Sequence, residues 1–158
     1  MRALAQNGIE MIIQTGREEL ALVRESCRAA GATAVVEPYF DNVADAYAAC
    51  DLVVSRAGAT TLAETAAVAR PSILVPYPYA TEGHQMKNAR AVEAAGAAVV
   101  IPDGELAGDS LARRIQELLR DRTRLELMAH AARTLARPDA ARRVAESVLA
   151  LARGRGAA

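Results

Sequence analysis

Short apolar runs rich in β-branched residues recur along the chain, and longer stretches with helical periodicity fill the spaces between them. Ile9–Thr15, Ala34–Glu37, Leu52–Ser55, Ser72–Pro76 and Ala97–Ile101 are the runs, each too short for a stable helix and each predicting a buried strand. In the spaces, Val43, Ala46, Tyr47 and Cys50 share one side of a helix, and Leu111, Ile115, Leu118 and Leu119 form a second stripe of the same period. Strands that alternate with helices in this way build βαβ units. The expected fold class is therefore α/β, a Rossmann-like parallel sheet with helices on both faces.

The two ends read differently. Met1–Asn7 has the pattern of the last turns of a helix, closed by Gly8 in a left-handed cap before the first strand. A doubly wound domain ordinarily opens with a strand and a phosphate-facing loop ahead of such a helix, so further structure is expected upstream of Met1. After the last strand the pattern is helical only. It breaks at Arg137-Pro138, because proline disfavours helix in the residue before it, and a terminal helix is expected over residues 138–155 with Val144, Val148 and Leu151 on one face.

Composition narrows the classes of function. A chain of 158 residues has room for one domain with one core. Its 19 basic and 19 acidic side chains cancel, and aromatics make up 3% with no Trp, so neither a field nor a stacking platform for nucleic acid is present. Cys27 and Cys50 lack metal-ligand spacing and read as small apolar residues of helices. No run approaches the ~18 apolar residues that a spanning helix needs, and the amino end lacks the layout of a signal peptide. A reducing cytoplasm is the expected compartment.

In an open parallel sheet, ligands bind beyond the carboxyl ends of the strands, which directs attention to the loops there. Ser55 ends a strand, Arg56-Ala57-Gly58-Ala59 is a turn of mostly small residues, and Thr60-Thr61-Leu62-Ala63-Glu64 begins a helix. Gly58 and Ala59 leave room for phosphates near the backbone, and free N–H groups at the helix start favour an anion. Glu64, one turn in, is placed to accept hydrogen bonds from a ribose diol. A second reading is open on spacing alone: Thr60 or Thr61 caps the helix and Glu64 completes a capping box. The loop Pro76–Asn88 is long and polar, and gathers His84, Gln85 and Asn88, which suit sugar hydroxyls. His84 by itself reads equally as a surface or cap histidine, and His130 as structural. No Asp-x-Asp pair occurs, so no metal is expected at a diphosphate, and no cofactor is expected.

Three stretches together carry a family resemblance: Asp51–Glu64, Pro71–Tyr79 and Gly83–Ala89. In order and spacing they resemble the carboxy-terminal domain of the MurG family, bacterial N-acetylglucosaminyltransferases that convert lipid I to lipid II in peptidoglycan synthesis. The resemblance extends from Gln14-Thr15-Gly16 to the terminal helix, and implies the carboxy-terminal half of a GT-B glycosyltransferase. It implies that Tyr39 and Phe40 contact uracil, with Phe40 reading the base through its backbone, and that Gly58, Ala59, Thr60 and Thr61 face the diphosphate with Arg56 just before them. It further implies that Glu64 takes the ribose hydroxyls, and that His84 and Gln85 bind the N-acetylglucosamine. His84 departs from the glutamine frequent at its position.

The implied donor is UDP-N-acetylglucosamine. The implied acceptor is a lipid-linked muramyl pentapeptide, held by an amino-terminal domain that these residues do not include. That half would also carry the general base and the membrane contact of an enzyme peripheral to the inner face of the cell membrane. No catalytic residue is therefore expected in this chain, which is either a fragment or one half of a split enzyme. Two alternatives stay open: a non-catalytic nucleotide-sugar-binding subunit, and a related transferase with another acceptor.

Overall fold

The computed structural model describes residues 1–106 and 109–155. In chain order the elements are α1 (Arg2–Ala5), β1 (Met11–Gln14), α2 (Gly16–Ala29), β2 (Ala34–Glu37), α3 (Val43–Ala49), β3 (Val53–Ser55), α4 (Ala59–Ala67) and β4 (Ser72–Leu74). They are followed by α5 (His84–Ala94), β5 (Ala98–Val100), α6 (Ser110–Arg120), α7 (Arg122–Leu135) and α8 (Ala140–Arg155). Each of the five apolar runs forms a strand within its expected bounds, and all pairing is parallel.

The strands make two sheets. β1 pairs with β2, and β3, β4 and β5 pair in that order, with no ladder between β1 and β3. A single sheet was the simplest expectation from alternation, and the difference is one of pairing between distant segments, which periodicity does not encode.

Alternation along β4 divides the core into two layers, because successive side chains point to opposite faces. Ile73 is fully buried on one face among Leu4 of α1, Ile115 and Leu118 of α6 and Leu125 and Met128 of α7. Leu74, equally buried, packs on the other face with Ala57, Ala89, Ala98 and Val100, flanked by Leu62 of α4 and Met86 and Val92 of α5. The second layer is built from alanines and so lets α4 and α5 sit close to the strands. Gly96, at φ +82, lies in the left-handed region before β5, where a β-carbon would be strained by the backbone angle although its nearest neighbour, the Ala131 side chain of α7, is at an ordinary 3.8 Å.

Helix ends follow the chemistry of their residues. Gly8 takes φ +67 as the cap after α1, as its position implies. Asp121 ends α6 and caps α7 by accepting the Arg124 N–H at 2.9 Å. The break before α8 falls at Arg137-Pro138, and α8 starts at Ala140. Its apolar residues find no cover: Val144, Val148 and Leu151 are 64%, 59% and 71% exposed. Among the described residues no helix is long and apolar enough to cross a membrane.

Candidate functional site

The carboxyl ends of β1, β2, β3 and β4 carry the loops picked out from sequence and make an open shelf in two halves, with hydrogen bonds tying the β1 loop to the β2 loop and the β3 loop to the β4 loop. At its left side Gly16 enters α2 at φ +76, with its N–H donating to Pro38 O at 3.0 Å. Gln14, the last residue of β1, accepts the Phe40 N–H on Oε1 at 3.3 Å. Phe40 is half-buried and Tyr39 is 70% exposed beside it. The backbone group through which Phe40 would read a base is thus held in place by Gln14.

At the centre, Gly58 is the amino-terminal cap residue of α4, with φ −70 and ψ 142 and no side-chain cap bond. The first intrahelical bond runs from Leu62 N–H to Gly58 O at 3.0 Å, which leaves Ala59, Thr60 and Thr61 with N–H groups pointing out of the helix start. These are the donors that an anion would meet. The helix begins two residues before Thr61, so neither threonine caps it and the capping-box reading of Glu64 does not hold. Glu64 instead lies beside Tyr47 of α3, whose hydroxyl donates to Oε2 at 3.4 Å. Burial, and after it the negative charge of Glu64 and the bond to it, push the Tyr47 phenol above its usual value of 10.0, against a smaller opposing effect of Thr61.

To the right, Gln85 fastens the central turn to the loop after β4. Its Oε1 accepts the Ala57 N–H at 3.2 Å and the Tyr77 N–H at 2.9 Å, and the Asn88 amide donates to Ala57 O at 3.3 Å. Arg56 braces the same loops: Nη1 donates to Val75 O at 3.2 Å and Pro76 O at 3.4 Å and pairs with Asp103, while the guanidinium stands 5.6 Å from the Tyr77 ring centroid. His84 opens α5 after Gly83, which has φ +67. Its Nε2 is 3.5 Å from Glu82, and its side chain is 58% exposed.

The structure therefore joins Gln85 to the turn before α4 and sets Glu64 beside Tyr47, while Phe40 is bonded to Gln14 in the β1 and β2 loops and His84 is exposed at the start of α5. Three participants were not singled out from sequence. Tyr47 was visible only as a position in an apolar stripe, and Asp103 lies past β5 in a short 3₁₀ turn with no local signal. Gln14 belonged to a loop of interest without a role. Among the described residues, no group of His, Cys, Asp and Glu is arranged to hold a metal ion.

A parallel α/β domain whose loops at the strand ends lead into helices belongs to the class of Rossmann-like domains. Residues 2–144 match the family model of the glycosyltransferase family 28 C-terminal domain. The chain belongs to that family. A relative from Anaeromyxobacter sp. (strain K), a UDP-N-acetylglucosamine--N-acetylmuramyl-(pentapeptide) pyrophosphoryl-undecaprenol N-acetylglucosamine transferase, is 48% identical over 93% of this chain and 38% of its own length. A relative of the same description from Nitratidesulfovibrio vulgaris is 44% identical over 98% of this chain and 43% of its own. The crystal structure of Acinetobacter baumannii MurG superposes with a TM-score of 0.80 at 28% identity, covering 94% of this chain and 44% of that one. This chain thus spans about two fifths of the length of the curated relatives it matches.

Proposed function

We propose that the domain binds UDP-N-acetylglucosamine at the strand-end shelf and is the donor half of an inverting transferase that passes the sugar to lipid I. The observation that carries this reading is the uncapped start of α4, with Glu64 one turn inside it. The outward N–H groups of Ala59, Thr60 and Thr61 and the helix dipole meet the diphosphate, and stabilise the charge that grows on uridine diphosphate as it leaves. Glu64 accepts the ribose hydroxyls. Phe40 presents its backbone to uracil once Gln14 yields its N–H, and the amide nitrogen of Gln85, whose oxygen is already engaged, faces the sugar with His84. Tyr39 borders the uracil. Arg56 acts by holding the loops, since its contacts are to carbonyls and Asp103.

The acceptor hydroxyl and its base belong to the other half of the enzyme, together with contact to the inner face of the membrane. The names of the relatives support the choice of sugar and acceptor. The test is calorimetric titration of the chain with UDP-N-acetylglucosamine, UDP and a purine nucleotide diphosphate. Binding confined to the uridine ligands is expected, and Glu64→Ala should weaken it by ~1–3 kcal/mol, the worth of hydrogen bonds to a charged acceptor. Equal binding by parent and folded Glu64→Ala would remove the ribose role, and indifference to the base would remove the whole reading.

A further inference from the structure

The two halves of the shelf approach each other at α3 and α4. α3 follows the Phe40 loop directly and so continues the first half, whereas α4 carries the Gly58 turn of the second. Side-chain bonds cross between them. The Tyr47 hydroxyl of α3 donates to Glu64 Oε2 at 3.4 Å, and Arg70, just past α4, donates from Nη2 to Ala48 O at 2.7 Å. Tyr47 and Glu64 are both half-buried, and the Thr61 hydroxyl is close enough to the same phenol to act on its ionisation. Thr61 and Glu64, three positions apart, share one face of α4, and Thr61 Oγ1 is also the atom nearest the space over Gly58. The phenol thus stands beside both the threonine of the uncapped turn and the carboxylate one turn further in. The apolar stripe of α3 asks only for a ring at position 47, and the hydroxyl is the part that the stripe does not explain.

We infer that Tyr47 is the positioning residue of a ribose subsite: its hydroxyl holds Glu64 Oε2 toward α3 and leaves Oε1 to accept the hydroxyls of a nucleoside diphosphate. The inference rests on the ribose role proposed above for Glu64. A carboxylate offers about four lone-pair sites, so one phenol leaves enough of them for a diol. At 3.4 Å the bond is at the long end of such contacts, which directs Glu64 without saturating Oε2. Among the described residues Oε1 accepts no side-chain hydrogen bond. A glutamate that swings freely loses rotamer freedom when it takes a ligand, and one already held by a neighbour does not, which is how preorganisation raises affinity. A phenol also suits the place electrostatically. A lysine or arginine there would pair with the carboxylate and compete for the phosphates, whereas a neutral donor steadies Glu64 and leaves the diphosphate to the backbone N–H groups of the turn.

The experiment titrates the full 158-residue chain with UDP and with 2′,3′-dideoxyuridine diphosphate, which lacks both ribose hydroxyls, in the calorimeter. The parent is expected to prefer UDP by on the order of tenfold or more, as hydrogen bonds to a charged acceptor imply. Tyr47→Phe keeps the ring, and is expected to lower that preference by about three- to tenfold through weaker binding of UDP, with the dideoxy ligand unaffected. On a Glu64→Ala background the same change should have no further effect, because the phenol then has no carboxylate to hold. Arg70→Met cuts the other bond to α3 and should leave the preference as in the parent, which separates positioning of Glu64 from attachment of the helix. A parent with no preference for UDP overturns the ribose role of Glu64 and this inference with it. Where the parent does prefer UDP, three results overturn this inference alone: the same preference in Tyr47→Phe, an equal loss for both ligands, or an equal effect of Arg70→Met.

Discussion

At Glu64 the proposed ribose contact and the phenol that leans on the carboxylate from α3 are two roles that titration separates. The raised value of Tyr47 means that the folded protein holds that proton more tightly than the unfolded chain. Its contribution to stability is then complete below the ordinary tyrosine value and is lost as pH rises through the folded-state value. Replacing Glu64 by Gln removes the charge but not the shape. Tyrosinate absorbance, with Tyr47→Phe as the difference reference, should show Tyr47 ionising at lower pH in Glu64→Gln than in the parent; an unchanged titration would mean that burial alone sets it. Glu64 could be singled out in the sequence because it stands at a fixed offset from a small-residue turn, whereas Tyr47 hid in a stripe that any core helix would show. Gly58 carries a second prediction. Its φ of −70 suits any residue and the atom nearest an added β-carbon is Thr61 Oγ1 at 4.0 Å, so backbone strain is absent there. Gly58→Val should cost the fold ~1 kcal/mol or less by melting, the loss of a favourable cap residue, yet abolish donor binding in the calorimeter. Parent-like affinity would place the phosphates elsewhere.

Among the elements, β5 shows how an outer edge is closed. Val100 turns its N–H away from β4, and Glu93 of α5 accepts it at 2.8 Å while pairing with Arg90 at 2.6 Å. Burial works against the Glu93 charge, but the Val100 and Arg90 bonds outweigh it and hold the carboxyl below its usual 4.5. The stabilisation is therefore present above that ordinary value and disappears as pH falls through the lower, folded-state one. Glu93→Gln should lower stability by ~1–3 kcal/mol at neutral pH, and the deficit relative to the parent should shrink in acid; denaturant melts across pH measure both. Strand positions were readable from runs such as Ser72–Pro76, since β-branched residues between turns report local preference. Closure of an edge by Glu93, like the open ladder between β1 and β3, depends on partners distant in sequence and leaves no periodic trace.

Across the whole molecule, two sheets, two apolar layers and a shelf are assembled around β4, and α8 stands apart from all of them. The Arg137-Pro138 break was readable because proline constrains its neighbour, but whether α8 had anything to lie on was not. Every described side chain from Ala140 to Arg153 is exposed, so the 16-residue helix rests on its own hydrogen bonds, and isolated helices of this length are marginal in water. That makes α8 the element expected to open first to a protease. Limited trypsin treatment should cut first at Arg142 and Arg143, leaving a core of unchanged thermal midpoint, as mass spectrometry and a melt of the product would show; cleavage elsewhere first would mean that the tail is held. The rate of that cut then reads out the cover on one helix face, fast while the apolar stripe of Val144, Val148 and Leu151 is bare to solvent.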